Sequence, residues 1–237
     1  MKQMGIRDMT FAQLREMDRY YVDKTMLIAD ILRTGDSNVY LFTRPPGFGK
    51  STNLTMLDAF FNMEYTGNTW FEGLRILDHP EFDGYRNAYP VIDLNLKDVQ
   101  AEPYDGFLDG IRSAVLRCYR NHDYLFEQKD VAEELSYISD TLTTRTTPET
   151  PLVESIRLLI SALARYHDRR VVVLINEYDS AVASTSDRDS RGRKLAFLRD
   201  ILGSALKDTS DVQMACITGM TQIAEESVFS GFNNVCV

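Results

Sequence analysis

Cysteine is scarce in this 237-residue chain. Its three cysteines, Cys118, Cys216 and Cys236, are scattered and mostly embedded in apolar runs. An odd, dispersed set gives neither a disulfide framework nor a zinc site and suits a reducing cytoplasm. Also missing is any uncharged apolar run of the roughly 18 residues that a membrane span requires, and residues 1–8 contain no apolar signal core. A soluble, cytoplasmic protein without membrane contact is expected. Positive charge is in short supply too: 26 Lys and Arg face 35 Asp and Glu, for a net charge of −9. Broad nucleic-acid binding needs clustered Lys and Arg, so no direct nucleic-acid contact is expected from this segment. There is no repeat of fixed period, and the threonine-rich stretch Thr141 to Thr150 reads as a loop.

What is present is an ordinary globular mixture, 44% hydrophobic and 26% charged, long enough to bury one substantial core. Short β-rich runs at 38–43, 90–96, 170–175 and 212–218 predict four strands. Between them lie apolar residues at helical spacing: Leu54, Leu57 and Phe61; Leu108, Ile111, Val115 and Cys118; Ile156, Leu159, Ile160 and Leu163; Leu195, Leu198, Ile201, Leu202 and Ala205. The run Val171 to Ile175 is apolar on both faces, as a parallel sheet covered by helices on each side demands. The expected architecture is a three-layer α/β/α sandwich with a mainly parallel sheet.

After the first strand comes Arg44-Pro45-Pro46-Gly47-Phe48-Gly49-Lys50-Ser51-Thr52, followed by the first amphipathic helix. A glycine-containing loop between strand and helix lets backbone N–H groups approach phosphate oxygens, with the positive helix terminus behind them. Lys50 is expected on the β- and γ-phosphates of ATP and Ser51 on Mg²⁺. The position five residues before Gly49, glycine in the consensus, is Arg44. The third strand ends in Asn176-Glu177-Tyr178-Asp179. In such ATPases the apolar strand beside the phosphate loop carries an Asp that holds Mg²⁺ through water, and the next Glu polarises the attacking water. Glu177 stands at the base position. Asn176 stands where that Asp should be, a metal holder without its charge, and Asp179 is the available substitute carboxylate. The fourth strand offers Thr218, and Gln222 just beyond it, as polar groups facing the γ-phosphate.

Taken together, the segments Tyr21-Val22-Asp23-Lys24-Thr25, 43–51, Leu174 to Asp179, 205–208 and 227–234 resemble the AAA-ATPase-like family of mostly bacterial proteins. That family typically shows YVDKT, RPRRFGKS, LIDEYD, a threonine-glycine strand end followed by an arginine, and an S-F-G-NN segment, in the same order. The resemblance implies that Arg44 is normal for the family and that Tyr21 to Thr25, with Tyr21 and Lys24, lie near the nucleotide on its base or sugar side. It implies one P-loop domain over 1–237, with an N-terminal YVDKT segment (1–37), a sheet-containing core (38–237) and a helical or loop insertion (121–150). Gly47 replaces a usual arginine, Asn176 the usual Asp and Gln222 the usual Arg. The reading is an ATP-binding domain with weakened Mg²⁺-dependent hydrolysis, or a non-hydrolysing nucleotide-binding module that recruits a protein partner or a second copy of itself. Family members resemble fusions to a restriction-endonuclease-like nuclease domain, which is expected to be absent here. The chain stops where a fifth strand should begin beside the first, so that strand is expected to be missing, leaving an unpaired edge.

Four lesser signals complete the reading. A nuclease would need clustered carboxylates beside a lysine, and in Asp93-Leu94-Asn95-Leu96-Lys97 the second acid is Asn95. His122-Asp123 and His167-Asp168 are expected on the surface at helix ends. Phe60, Phe61, Trp70 and Phe71 form an aromatic core cluster. Ser186 to Lys194 reads as a solvated loop from which Arg191 or Arg193 could reach phosphate.

Overall fold

The structure, a computed structural model, describes residues 9–34, 39–45, 47–99, 102–144, 149–207, 210–220, 228–229, 232 and 235–236. Its strands are β1 (Val39–Thr43), β2 (Val91–Asn95), β3 (Val171–Asn176), β4 (Val212–Gly219) and β5 (Val235–Cys236). All pair in parallel, in the order β2-β3-β4-β1-β5. The four expected strands therefore lie within a residue or two of their sequence bounds. Two features differ from expectation. The last strand has already begun, since Val235 and Cys236 pair with Val39 and Tyr40. And β3 does not adjoin the phosphate-loop strand, because β4 lies between β3 and β1.

Alternation along the strands assigns each residue to one of two apolar layers. Val39, Leu41, Val171, Val173, Ile175, Ala215 and Ile217 face one layer, and Tyr40, Val172, Leu174, Met214 and Cys216 face the other. The first layer is closed by α4 (Tyr104–Asn121), α5 (Lys129–Thr143), α6 (Glu149–His167) and α8 (Arg188–Leu206). The second is closed by α1 (Phe11–Glu16), α2 (Met26–Thr34), α3 (Lys50–Phe61) and the 3-10 turns that follow α3. A four-residue helix, α7 (Ser180–Ala183), follows β3. Every residue of β3 is buried, as the two-faced run predicts. Of the aromatic cluster, Phe60, Phe61 and Phe71 are core, with Phe71 on Phe11 at 4.9 Å and on Phe60 at 5.5 Å, while Trp70 is only partly buried. Among the described residues no helix is long and apolar enough to cross a membrane.

Two expected loops are helical instead. Thr141 and Thr143 end α5, where their hydroxyls donate back to the carbonyls of Tyr137 and Asp140. Glu149 already opens α6, leaving 145–148 outside the described residues. In the charge-rich stretch, Asp187 caps α8 by accepting from the Ser190 N–H at 2.7 Å. Lys194 is fully buried, its ammonium donating to Thr185 Oγ1 at 2.9 Å and Glu102 Oε1 at 3.2 Å. Charge in a sequence marks a solvated loop only when it has no buried partner, and these partners come from outside the run.

Candidate functional site

Parallel pairing brings the C-terminal ends of β1, β2, β3 and β4 to one edge of the sheet, where α/β sheets place their ligand crevices. Register sets the neighbours there: Thr43 opposite Gly219, Phe42 opposite Thr218, and Asn95 opposite Asn176. A cleft of about 890 Å³ opens at this edge.

Its first wall is the loop after β1. Gly47 (φ 85°) and Gly49 (φ 79°) are both left-handed, a conformation that costs a residue with a Cβ about 1–2 kcal/mol. A Cβ on Gly49 would also come within 3.3 Å of Lys24 Nζ. Such turns point successive N–H groups into one concavity, and α3 begins at the next residue. Lys50 is buried, and its ammonium folds back over the loop, donating to Arg44 O at 2.6 Å and Pro45 O at 3.2 Å. Lys24 Nζ donates to Phe48 O at 3.3 Å, so two cations sit on one short stretch of backbone.

The second wall is the set of strand ends. Asn176 Oδ1 accepts from Ser51 Oγ at 3.3 Å and from Thr218 Oγ1 at 2.9 Å. The Thr218 hydroxyl in turn accepts from the Glu177 N–H at 3.1 Å. Glu177 (φ 54°) turns the chain out of β3, and it lines the cleft with Asn176 and Ser51. Asp179 does not replace Asn176. It is fully buried, and both its oxygens accept from the Met220 N–H, at 3.0 and 2.8 Å. It clamps the end of β4 instead. Gly219 is needed beside it: a Cβ there would lie 2.5 Å from Tyr178 Cε1 and 3.1 Å from Asp179 Oδ1.

The YVDKT segment divides its labour. Asp23 accepts from Thr25 N at 2.9 Å, Thr25 Oγ1 at 2.6 Å and Arg75 N at 2.9 Å, and the buried Thr25 hydroxyl accepts from Ile76 N at 3.2 Å. Burial works to raise the Asp23 carboxyl, but these hydrogen bonds hold it below its ordinary value. Tyr21 lines the cleft, its hydroxyl 3.3 Å from Met56 Sδ; burial pushes it up to about 12. Lys24, between the anchors, lies against the phosphate loop rather than away from it.

The sequence singled out Asp93, Asn95 and Lys97 only as an incomplete nuclease pattern; they form the cleft floor, Asp93 and Asn95 on β2 and Lys97 just beyond it, with Thr55 and Asp58 of α3 also lining the cleft. The Asp93 carboxyl meets cleft water but is crowded by protein. Desolvation first and the nearby Asp58 second push it up to about 6, against the pull of Arg117. Asp58 is raised as well, by burial, despite the hydrogen bonds from Asn62 and Tyr65. This second carboxylate comes from α3, which spacing along β2 could not reveal. Among the described residues no three of His, Cys, Asp and Glu gather as a metal site.

Other expected contributors stand elsewhere. The Arg44 guanidinium donates to Thr43 O, and Phe48 is exposed at the loop tip. Thr52 lines the cleft; Thr218 is buried and meets it only through Asn176. Pro46, Gln222 and most of 227–234 lie outside the described residues. Arg193 stacks on Tyr104, 3.9 Å from the ring centroid, and neither it nor Arg191 lines the cleft. His122 is not a surface residue. Its Nε2 lies 3.2 Å from Val91 O and its Nδ1 3.3 Å from Tyr124 Oη, and burial pushes it down to about 4. Half-buried His167 meets the same Tyr124 hydroxyl at 2.9 Å.

The AAA-ATPase-like family model, described as a predicted AAA-ATPase, matches residues 3–229. An uncharacterized protein in the vnfD 5′ region of Azotobacter chroococcum mcd 1 is 29% identical over 237 residues, covering 99% of this chain. The chain spans 40% of that curated relative's length. No solved structure matches.

Proposed function

Since the chain belongs to the AAA-ATPase-like family, we propose that the cleft binds ATP, with its phosphates seated on the loop from Arg44 to Thr52. The observation that carries this reading is the convergence of Lys24 and Lys50 on a loop whose two left-handed glycines lead into a 12-residue helix. Backbone donors and a helix terminus give the phosphates position, and the two ammonium groups give them charge. Lys50 is held within the loop by its bonds to the Arg44 and Pro45 carbonyls, and phosphate binding would exchange these for bonds to an oppositely charged partner.

The Mg²⁺ implied by the family fits this donor set only in part. Ser51 supplies a hydroxyl oxygen for it. Asn176 supplies no charge, and its single oxygen already receives two hydroxyl protons. The function best supported is a nucleotide-binding module whose bound form is recognised by a protein partner or a second copy of the chain. One observation favours hydrolysis as a second reading: Glu177 lines the cleft next to Asn176, where it would orient a water and accept its proton.

Calorimetry with ATP on the native chain and Lys50→Ala, together with phosphate release, tests both readings. Loss of the ammonium should weaken binding about ten- to a hundredfold, the value of one or two charge-assisted hydrogen bonds. Equal affinity in both proteins would refute the phosphate-loop reading. Phosphate release from the native chain above the Lys50→Ala background would establish hydrolysis; its absence leaves the binding module.

A further inference from the structure

Building on the nucleotide-site reading, we infer that this chain holds its nucleotide without needing a divalent cation, and that Asn176 is the reason. Magnesium keeps several of its waters in nucleotide sites, and the protein retains the ion by accepting hydrogen bonds from them, usually through a carboxylate. The requirement is for acceptors, because a metal-bound water only donates.

Asn176 has none to give. An amide oxygen carries two lone pairs. Here both are used, one by Ser51 Oγ at 3.3 Å and one by Thr218 Oγ1 at 2.9 Å. In this arrangement Thr218 Oγ1 accepts from Glu177 N and gives its own proton to Asn176 Oδ1. What Asn176 has left to offer is the N–H donors of Nδ2, and donors suit a phosphate oxygen rather than a magnesium-bound water. An aspartate in the same place would accept both hydroxyls and keep a further oxygen with lone pairs for a water.

Charge points the same way. A carboxylate at the end of β3 would repel the phosphates until a metal ion screened it, so the metal is required partly by the residue that holds it. Asn176 removes that repulsion. Lys24 and Lys50, both bonded to the loop backbone, supply the positive charge in the metal's stead. Among the described residues no three of His, Cys, Asp and Glu gather as a metal site; Asp58, Asp93 and Glu177 line the cleft without forming one.

Calorimetric titration of ATP into the native chain and into Asn176→Asp, each in excess Mg²⁺ and in EDTA, tests the inference. The native chain should bind with Kd values that differ by less than about threefold between the two buffers. Asn176→Asp should bind in Mg²⁺ and lose about tenfold or more in EDTA. A native chain that loses tenfold in EDTA overturns the inference while leaving the nucleotide site standing. So does an Asp variant that binds in Mg²⁺ and is as indifferent to metal as the native protein. A native chain that unfolds cooperatively but binds ATP in neither buffer overturns the site itself.

Discussion

The two walls of the cleft are made differently. The phosphate-loop wall is almost one piece of chain, from Thr43 to Thr52, with Lys24 brought against it, and its chemistry is backbone donors and positive charge. The strand-end wall is assembled from Ser51, Asn176 and Thr218, residues from three elements, and its chemistry is one amide and two hydroxyls. A wall made by local geometry survives substitution at any distant site. A wall assembled across the sheet depends on each strand end staying in register, and here it has exchanged its metal-facing charge for neutral hydrogen bonds. On the proposed reading, binding and any turnover would be lodged in separable parts of one cleft.

The strongest way to break that separation is Gly219→Ala. The added methyl would lie 2.5 Å from Tyr178 Cε1 and 3.0 Å from Cδ1, and Tyr178 is itself buried and packed on Phe229 at 5.5 Å. Overpacking of this kind costs about 2 kcal/mol, which for a domain of this size lowers Tm by about 4–8 °C. Thermal unfolding should show that loss while ATP affinity changes by less than about threefold. If affinity falls as far as in Lys50→Ala, the walls are one mechanical unit and the comparison fails.

Thr218→Val has a smaller effect and sharpens the comparison. The shape is nearly kept, but the Glu177 N–H loses its acceptor and Asn176 Oδ1 loses one donor. This N–H is only partly buried, so leaving it unsatisfied costs about 1–1.5 kcal/mol, and Tm should fall by about 2–6 °C. The variant also returns a lone pair to Asn176, so ATP binding should become a few-fold tighter in Mg²⁺ than in EDTA. Metal indifference unchanged in Thr218→Val would show that the oxygen's occupancy is not what excludes the metal's waters.

The same contrast decides what could be read from the sequence. The loop wall was legible because its signal is contiguous: strand, glycines, Lys50, helix. Asn176 and Glu177 were legible as a strand end; the hydrogen bond that joins Asn176 to Ser51 was not. That β4 stands between β1 and β3 was not, since strand order is a property of the whole sheet. Asp58 and Asp93 were missed as a pair because one lies on a helix and the other on a strand. Asp179 and His122 were misjudged for the same reason. Asp179 reads locally as an available carboxylate and His122 as a surface residue, yet each is buried against a backbone group far along the chain, Met220 N and Val91 O respectively. The sequence carries residue types and periods; which distant backbone group satisfies a buried side chain appears only after packing.

The smallest expected effect concerns the floor that both walls share. Asp93 titrates near 6 rather than at its ordinary 3.8, so it is charged at pH 7.5 and mostly neutral at pH 5.5. A charged carboxylate repels the phosphates, so acidification should strengthen ATP binding in the native chain relative to Asp93→Asn. The group is solvated and the field screened, which limits the difference to about two- to threefold. Comparing the two proteins at each pH cancels the titration of ATP itself. Melting temperature would be the wrong readout, because two groups oppose each other there. Asp93 binds its proton more readily in the fold than in the unfolded chain, so it adds stability as pH falls from 6 toward 3.8. His122, held down to about 4 from 6.5, takes stability away as pH falls across that window. Affinity isolates the cleft, since His122 does not line it. A native chain whose affinity tracks that of Asp93→Asn at every pH would place the phosphates beyond the reach of the floor and confine the nucleotide to the loop wall alone.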